Sequence, residues 1–175
     1  MKKLLVIGLL GMEMLCASAL VTSNAVVKAH TEVFGDSTID PETRSVTSHL
    51  RMPGGVESIT GSVDVNILKL KSDNEKRDEH MVGALESKKY PVATYTFKKV
   101  AKQNNGYVID GILDFHGVKK PLSLRADIKE NGNNVHIKAK GHIKLSEYKV
   151  KPIKMFFLEV RDRIDLKVDA TFKKQ

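Results

Sequence analysis

Hydrophobic and polar residues alternate along most of the chain after residue 92. The clearest case is VHIKAKGHIKL (135–145), in which apolar or small residues hold every odd position and Lys or His holds every even one. YVIDGILDF (107–115), LSLRADI (122–128) and RIDLKVDATFKK (163–174) follow the same period of two. This period predicts antiparallel strands that turn one face to a core and the other face to water.

Further strands are predicted by shorter apolar runs that are bounded by residues typical of turns. They fall at 26–34, 46–52, 58–70, 92–100 and 155–160, which brings the total to about eight or nine. Short turns between them predict a meander, in which each strand pairs antiparallel with the next one along the chain.

One segment is predicted to be helical. Ser72 followed by Glu75 fits a capping box at a helix start. Met81 and Leu85 then recur at helical spacing, which gives the helix one apolar face. Pro91 stops the segment, because proline does not continue a helix.

A meander with a single helix either closes into a barrel or folds into a sandwich. The predicted inner face mixes small residues with large ones, which lets strands curve and leaves room inside. The small ones are Gly111, Ala126, Ala139, Gly141 and Ala170. A barrel of about eight strands is wide enough either to be filled by its own side chains or to hold one small ligand. The sequence therefore predicts an all-β fold, and the pattern alone leaves a filled and a hollow interior open.

The N-terminus has the pattern of an export signal. Two lysines precede an apolar stretch, and residues 17–19 (Ala-Ser-Ala) form a small-x-small cleavage sequence. Residues 1–19 are therefore predicted to be a signal peptide, with cleavage as late as 25 as an alternative, followed by one domain at 26–175. The only cysteine, Cys16, lies within this signal, so we expect no disulfide in the mature protein. The predicted location is the periplasm or the outside of the cell.

The chain is basic, with a formal net charge of +8. Its lysines alternate with apolar residues, as on the solvated face of a sheet, and do not form a nucleic-acid footprint. Aromatic residues make up only 6% of the chain and tryptophan is absent, which disfavours stacking on single strands. We therefore predict no nucleic-acid partner and expect the basic exterior to support peripheral contact with anionic membranes.

Ionisable side chains crowd the segment 72–91, which raises the question of a metal site or an acid–base pair. Asp78, Glu79 and His80 are consecutive, so on a helix they point about 100° apart and cannot converge on one ion. The sequence contains no HExxH spacing, no cysteine pair and no GxSxG nucleophile motif. Because the predicted inward residues are almost wholly apolar, we predict no metal site, no cofactor and no enzyme activity.

Three motifs, in this order, resemble the YceI-like family of exported lipid-binding proteins. SDNEKRDEHM (72–81) carries an N-x-x-R-D-x-H-[LM] pattern, KKYPVATYTF (88–97) a Y-P strand start, and GILDFHGVKKPLSL (111–124) a G-x-L hairpin that ends in G-V-x-K-P. The resemblance covers about residues 35–172. It implies a lipocalin-like antiparallel β-barrel of about eight strands, with one short α-helix packed at an end.

The resemblance also implies a bacterial carrier or store for an elongated amphiphile. The ligand would be a polyisoprenoid, an isoprenoid quinone or a long fatty-acid derivative, held in a hydrophobic barrel lumen. Relative to the family, the first strand at 26–34 is short, which predicts a short barrel wall there.

The residues predicted to line the lumen are the inward positions of the strands. They are Val63, Val65, Ile67, Tyr95, Phe97, Ile109, Leu113, Phe115, Leu122, Leu124, Ile128, Ile137, Ala139, Ile143, Leu166, Val168 and Phe172.

Arg77 and His80, on the predicted helix, are candidates for contact with a ligand head group at the mouth of the barrel. The alternative is structural: Arg77 and Asp78 would pin the helix to the barrel as a lid. Since Asp78 does not face Arg77 on a helix, we expect the partner of Arg77 to come from another strand or loop.

Two other functions fit the same pattern. One is a non-catalytic structural or adhesive module with a filled barrel, and the other, which fits less well, is an enzyme that acts on lipids. A homodimer is compatible with either function, because an unpaired edge strand can pair with a second chain.

Overall fold

A computed structural model describes residues 18–33, 37–151, 154–155 and 158–175. Most of the predicted signal peptide, including Cys16, lies outside these ranges. The strands are β1 (Ser18–Val33), β2 (Ser37–Ile39), β3 (Glu42–Thr43), β4 (Val46–Met52), β5 (Thr60–Asn66), β6 (Val92–Gln103), β7 (Gly106–Phe115), β8 (Val118–Asn131), β9 (Asn134–Lys144), β10 (Lys154–Met155), β11 (Leu158–Glu159) and β12 (Arg163–Lys174). The helices are α1 (Glu75–Ala84) and three 3₁₀ turns at Val56–Ser58, Ile67–Lys69 and Leu145–Tyr148.

Eight strands form a closed antiparallel barrel. Their order is β1-β4-β5-β6-β7-β8-β9-β12, and β12 returns to pair with β1 from Leu20 to His30. The predicted all-β, lipocalin-like barrel with one helix is therefore confirmed. The short strands β2 and β3 pair with β1, whereas β10 and β11 pair only with each other. Of the strand predicted at 155–160, the described residues thus form β10 and β11, and Val160 makes an isolated antiparallel bridge to Val33 of β1.

The first strand is longer than predicted. β1 begins at Ser18 and runs for 16 residues, so the expected short wall is wrong. The prediction failed because the apolar run at the N-terminus was assigned to the export signal as far as residue 25. Leu20 is nearly inaccessible and pairs with Leu50 of β4. Cleavage at the later of the two predicted points would therefore remove the part of β1 that contacts β4.

One end of the barrel is filled by its own side chains. The residues there come from the start of β1 and β9 and from the far ends of β4, β6 and β8, and all are buried. They include Leu20, Met52, Val100, Ile128 and Val135. Because these apolar side chains are almost fully buried, they close that end of the barrel to solvent.

The opposite end carries α1. Its N-cap is Asn74, whose side-chain oxygen accepts a hydrogen bond from the backbone N–H of Arg77 at 3.0 Å. The predicted capping box from Ser72 is therefore wrong, because the Ser72 hydroxyl bonds to the backbone of Asn74 instead. Within the described ranges, no helix is both long enough and apolar enough to span a bilayer.

Candidate functional site

A cavity occupies the part of the barrel next to α1. Its volume is about 220 Å³, and its wall is apolar and built from all eight barrel strands and α1. The predicted lumen residues that line it are Val63, Val65, Ile67, Tyr95, Phe97, Ile109, Leu113, Phe115, Leu122, Leu124, Ile137, Ala139, Ile143, Leu166, Val168 and Phe172. Ile128 does not line it: this side chain is buried in the filled end. Alternation identifies the face of a strand that points inward but not the depth at which a residue lies.

The cavity also has lining residues that the sequence analysis did not select. Val27, Ala29 and Thr31 contribute from β1, and Met81 and Leu85 contribute from α1. The β1 residues alternate with period two, so this pattern in the sequence could have identified them as inward positions. The remaining ones are Ile39, Pro41, Val46, Leu70, Ala93, Leu145, Val160, Ile164 and Ala170.

Tyr95 contributes a ring to the cavity but not a hydroxyl. Its hydroxyl lies 2.9 Å from the carbonyl of Ile109 and 2.8 Å from that of Leu122, and it donates to these oxygens of the wall. Gly111 makes this possible, because a Cβ there would lie 2.5 Å from the Tyr95 ring. Burial raises the pKa of the Tyr95 hydroxyl, and the negative charge of Asp110 raises it further. The residue therefore stays neutral and offers carbon atoms to whatever occupies the cavity.

Arg77 and His80 lie at the mouth of the cavity and belong to its lining. Arg77 donates from Nη1 to Oδ1 of Asp73 at 2.6 Å, and its side chain is 23% exposed. The expectation of a partner from another strand or loop is wrong, because Asp73 is four residues earlier, just before the same helix. This local pair holds the guanidinium at the rim and does not fasten the helix to the barrel.

Asp78 has the structural role. Its carboxylate is buried and accepts a hydrogen bond from the backbone N–H of Ser72 at 2.8 Å, and Lys71 Nζ lies 3.7 Å away. A buried carboxylate that caps a backbone donor holds the loop before the helix in one conformation. Of the two charged residues predicted to pin the helix, Asp78 makes the buried contact.

Within the described part of the chain, no group of three or more His, Cys, Asp or Glu side chains is arranged to hold a metal ion. The His–carboxylate pairs that do occur are separate contacts on the barrel exterior or at its rim. His30 with Asp40 and His136 with Asp169 are two of them.

Comparison with known proteins gives the same family as the three motifs and the same fold as the barrel. The sequence pattern of the YceI-like domain matches residues 19–172, which is most of the chain. The chain belongs to the YceI-like family. All of its first strand except Ser18 thus lies within the YceI-like domain, and only the last residues of the predicted signal overlap that domain.

This YceI-like chain is 33% identical over 98 residues to Protein YceI of Escherichia coli, and the alignment covers 51% of each protein. The chain thus spans about half the length of the curated relatives it matches. Among solved structures, BcnA of Burkholderia cenocepacia matches with a TM-score of 0.74 at 16% identity, over 84% of this chain and 95% of BcnA. A polyisoprenoid-binding domain from Saccharophagus degradans, implicated in plant cell wall breakdown, matches with a TM-score of 0.66 at 11% identity, over 90% and 99%. At these identities the structures establish the shared fold.

Side chains within or next to the YceI-like motifs join the segments at the mouth. His116 is buried, its Nδ1 donates to the carbonyl of Tyr148 at 3.0 Å, and its Nε2 lies 2.8 Å from the carboxylate of Glu86. The ring of Tyr90 packs on His116 with centroids 4.4 Å apart, and Gly117 leaves room for it. The loop after α1, the β7–β8 hairpin and the 3₁₀ turn after β9 are thereby held together at this end.

Proposed function

We propose that this protein is an exported carrier or store that binds one long-chain apolar amphiphile in the barrel. The candidates are a polyisoprenoid, an isoprenoid quinone or a fatty-acid derivative. The observation that carries the proposal is the apolar cavity beside α1, whose lining reaches from Phe172 on one wall to Arg77 at the rim. Export to the periplasm or the medium is part of the proposal and derives from the N-terminal sequence pattern.

An apolar cavity of this kind binds a hydrocarbon chain without strong polar contacts. Each buried CH₂ group contributes roughly 0.8 kcal/mol, and part of this offsets the entropy lost when a flexible chain is ordered. Lining residues on β9 extend from Ile137 to Ile143, six residue steps that span roughly 20 Å along the strand. The length and width of the cavity would therefore set the preferred tail.

The comparisons support this proposal through one structural neighbour. The Saccharophagus degradans domain is described as polyisoprenoid-binding, and its barrel superposes on most of this chain. Among the described residues, the polar side chains of the lining are either bonded to the wall, as in Thr31 and Tyr95, or lie at the rim, so we propose binding without chemistry.

Native mass spectrometry of the purified protein, followed by organic extraction, tests the proposed function. We expect a mass above that of the bare chain and release of a lipid on extraction. A bare mass, with no uptake of added prenyl or acyl chains, would instead support a structural or adhesive module. Conversion of the bound lipid would support an enzyme, and the same spectra report whether two chains pair.

We also propose that the basic exterior contacts anionic membranes, where apolar ligands are collected. Cations lie side by side across four strands, because Lys28 is paired with Lys167, Lys167 with Lys140, and Lys140 with Arg125. Like charges in such positions repel one another, and an anionic surface would relieve that repulsion. Vesicle co-sedimentation should rise with phosphatidylglycerol content and fall with added salt. Binding that ignores both variables would remove this part of the proposal.

A further inference from the structure

The cavity beside α1 has very few polar side chains in its lining. Thr31 donates its hydroxyl to the carbonyls of Arg161 and Arg163, at 3.3 and 3.1 Å. The Tyr95 hydroxyl likewise bonds to the wall. Of the polar lining residues, Arg77 and His80 are thus the ones whose polar groups are not bonded to the barrel wall.

These two side chains form one small basic surface at the mouth. Residues three apart on a helix are neighbours on the same face, so Arg77 and His80 lie side by side on α1. Met81, one further position along, also lines the cavity, which places Arg77 and His80 directly at the border of the apolar wall. A tail that fills the cavity would therefore bring its head group to these two residues.

Both residues keep hydrogen-bonding capacity for a ligand. Arg77 uses Nη1 for Asp73, and its guanidinium carries further N–H donors on Nη2 and Nε. Asp73 is 86% exposed and does not belong to the cavity lining, so it does not occupy the ligand side of the guanidinium. Across the described residues, the side chain of His80 makes neither a hydrogen bond nor an ion pair.

We infer that this basic surface selects amphiphiles with an anionic head group, a carboxylate or a phosphate, over neutral ones with the same tail. The inference rests on the proposed function, because it needs the tail to enter the cavity. Charge-assisted hydrogen bonds from a guanidinium to a carboxylate or phosphate are stronger than those to a neutral hydroxyl. The partly buried position of Arg77 limits screening by water, which preserves this difference.

The inference is tested with matched pairs of probes that share a tail. Oleate is compared with oleyl alcohol, and farnesyl monophosphate with farnesol, by displacement of a fluorescent fatty-acid analogue from the full chain. The two pairs distinguish carboxylate from phosphate as the preferred anion. The variants are Arg77→Gln and His80→Gln.

Lys76→Gln is the matched control. Lys76 is next to Arg77 on α1, is exposed and lies outside the cavity lining, and its replacement lowers the net charge by the same amount. The affinity of each variant for the neutral probe reports whether its cavity is intact. A variant that has lost the fold would lose both probes of a pair.

We expect at least one anionic probe to bind about tenfold more tightly than its neutral counterpart. Arg77→Gln should lower the affinity for the anionic probe far more than that for its neutral counterpart, His80→Gln should do the same to a smaller extent, and Lys76→Gln should keep the preference. Equal affinities within both pairs, or an equal effect of Lys76→Gln, would overturn the inference and leave the carrier function standing. Failure of all four probes to bind would count against the proposed function itself.

Discussion

Ala139→Trp is expected to abolish lipid uptake and to leave the barrel folded. Ala139 lies in the middle of β9, is 3% exposed and faces the cavity. Its partners on the neighbouring strands are Ala126 and Val168, so small side chains surround the position. An indole built from there would point into a cavity of about 220 Å³ and take up much of the space for a tail. The added ring would fill empty volume rather than displace packed atoms, which limits its effect on stability.

Uptake of a fluorescent fatty-acid analogue measures whether the variant binds a lipid, and thermal unfolding of the same sample measures whether the barrel is folded. Ala101→Trp is the control, because Ala101 lies on β6 outside the cavity lining and receives the same new side chain. It should bind as the unmodified chain does. Full uptake by a folded Ala139→Trp variant would show that the ligand does not occupy this part of the lumen.

Gly111→Ala is expected to destabilise the barrel by about 3 kcal/mol, at the upper end of the usual range for overpacking. A Cβ at this position would lie 2.5 Å from the carbonyl oxygen of Thr96 and 2.5 Å from the ring of Tyr95. The backbone of β7 cannot move away without breaking its hydrogen bonds to β6 and β8. The Tyr95 ring cannot move without losing the hydroxyl contacts to Ile109 and Leu122. In a chain of this size the midpoint of thermal unfolding should fall by roughly 10 °C.

Gly83→Ala supplies the comparison for that measurement. Gly83 lies within α1, is exposed, and has open space where a Cβ would be. The same chemical change should stabilise the protein there by about 0.5–1 kcal/mol, since alanine is the better helix former. Denaturant unfolding of both variants checks the pair. A Gly111→Ala variant as stable as the original would mean that the Tyr95 ring is not held against the wall as described.

The walls of the barrel could be predicted because alternation is a local property of each strand. In β9, the alternation within VHIKAKGHIKL (135–145) is enough to tell the inward positions from the outward ones. The start of β1 could not be predicted in the same way, because Leu20 continues an apolar run that also fits an export signal. Its pairing with Leu50 of β4 and Lys174 of β12 identifies it as part of the wall.

The cavity was harder to predict than the wall. Ile128 and Ile137 are cross-strand partners on the same face, and both are buried, yet only Ile137 lines the cavity. Two neighbouring inward residues can differ in whether they face the cavity or the packed core. The difference depends on how the side chains of all eight strands pack at that level of the barrel, which the sequence of one strand does not show. The partner of Arg77 was predicted wrongly because a contact from a distant segment was expected. Asp73, only four residues earlier in the chain, makes the contact instead.

Under the proposed carrier function, the side chains that fill one end of the barrel, among them Leu20 and Val135, would make the α1 end the route into and out of the cavity. A tube that is sealed at its base can be loaded and emptied only through its top. An amphiphilic ligand would therefore enter with its apolar tail first and leave with its tail last. Its polar group would be presented first to any acceptor, so hand-over from this protein would be a docking event at the α1 face rather than passage through the barrel.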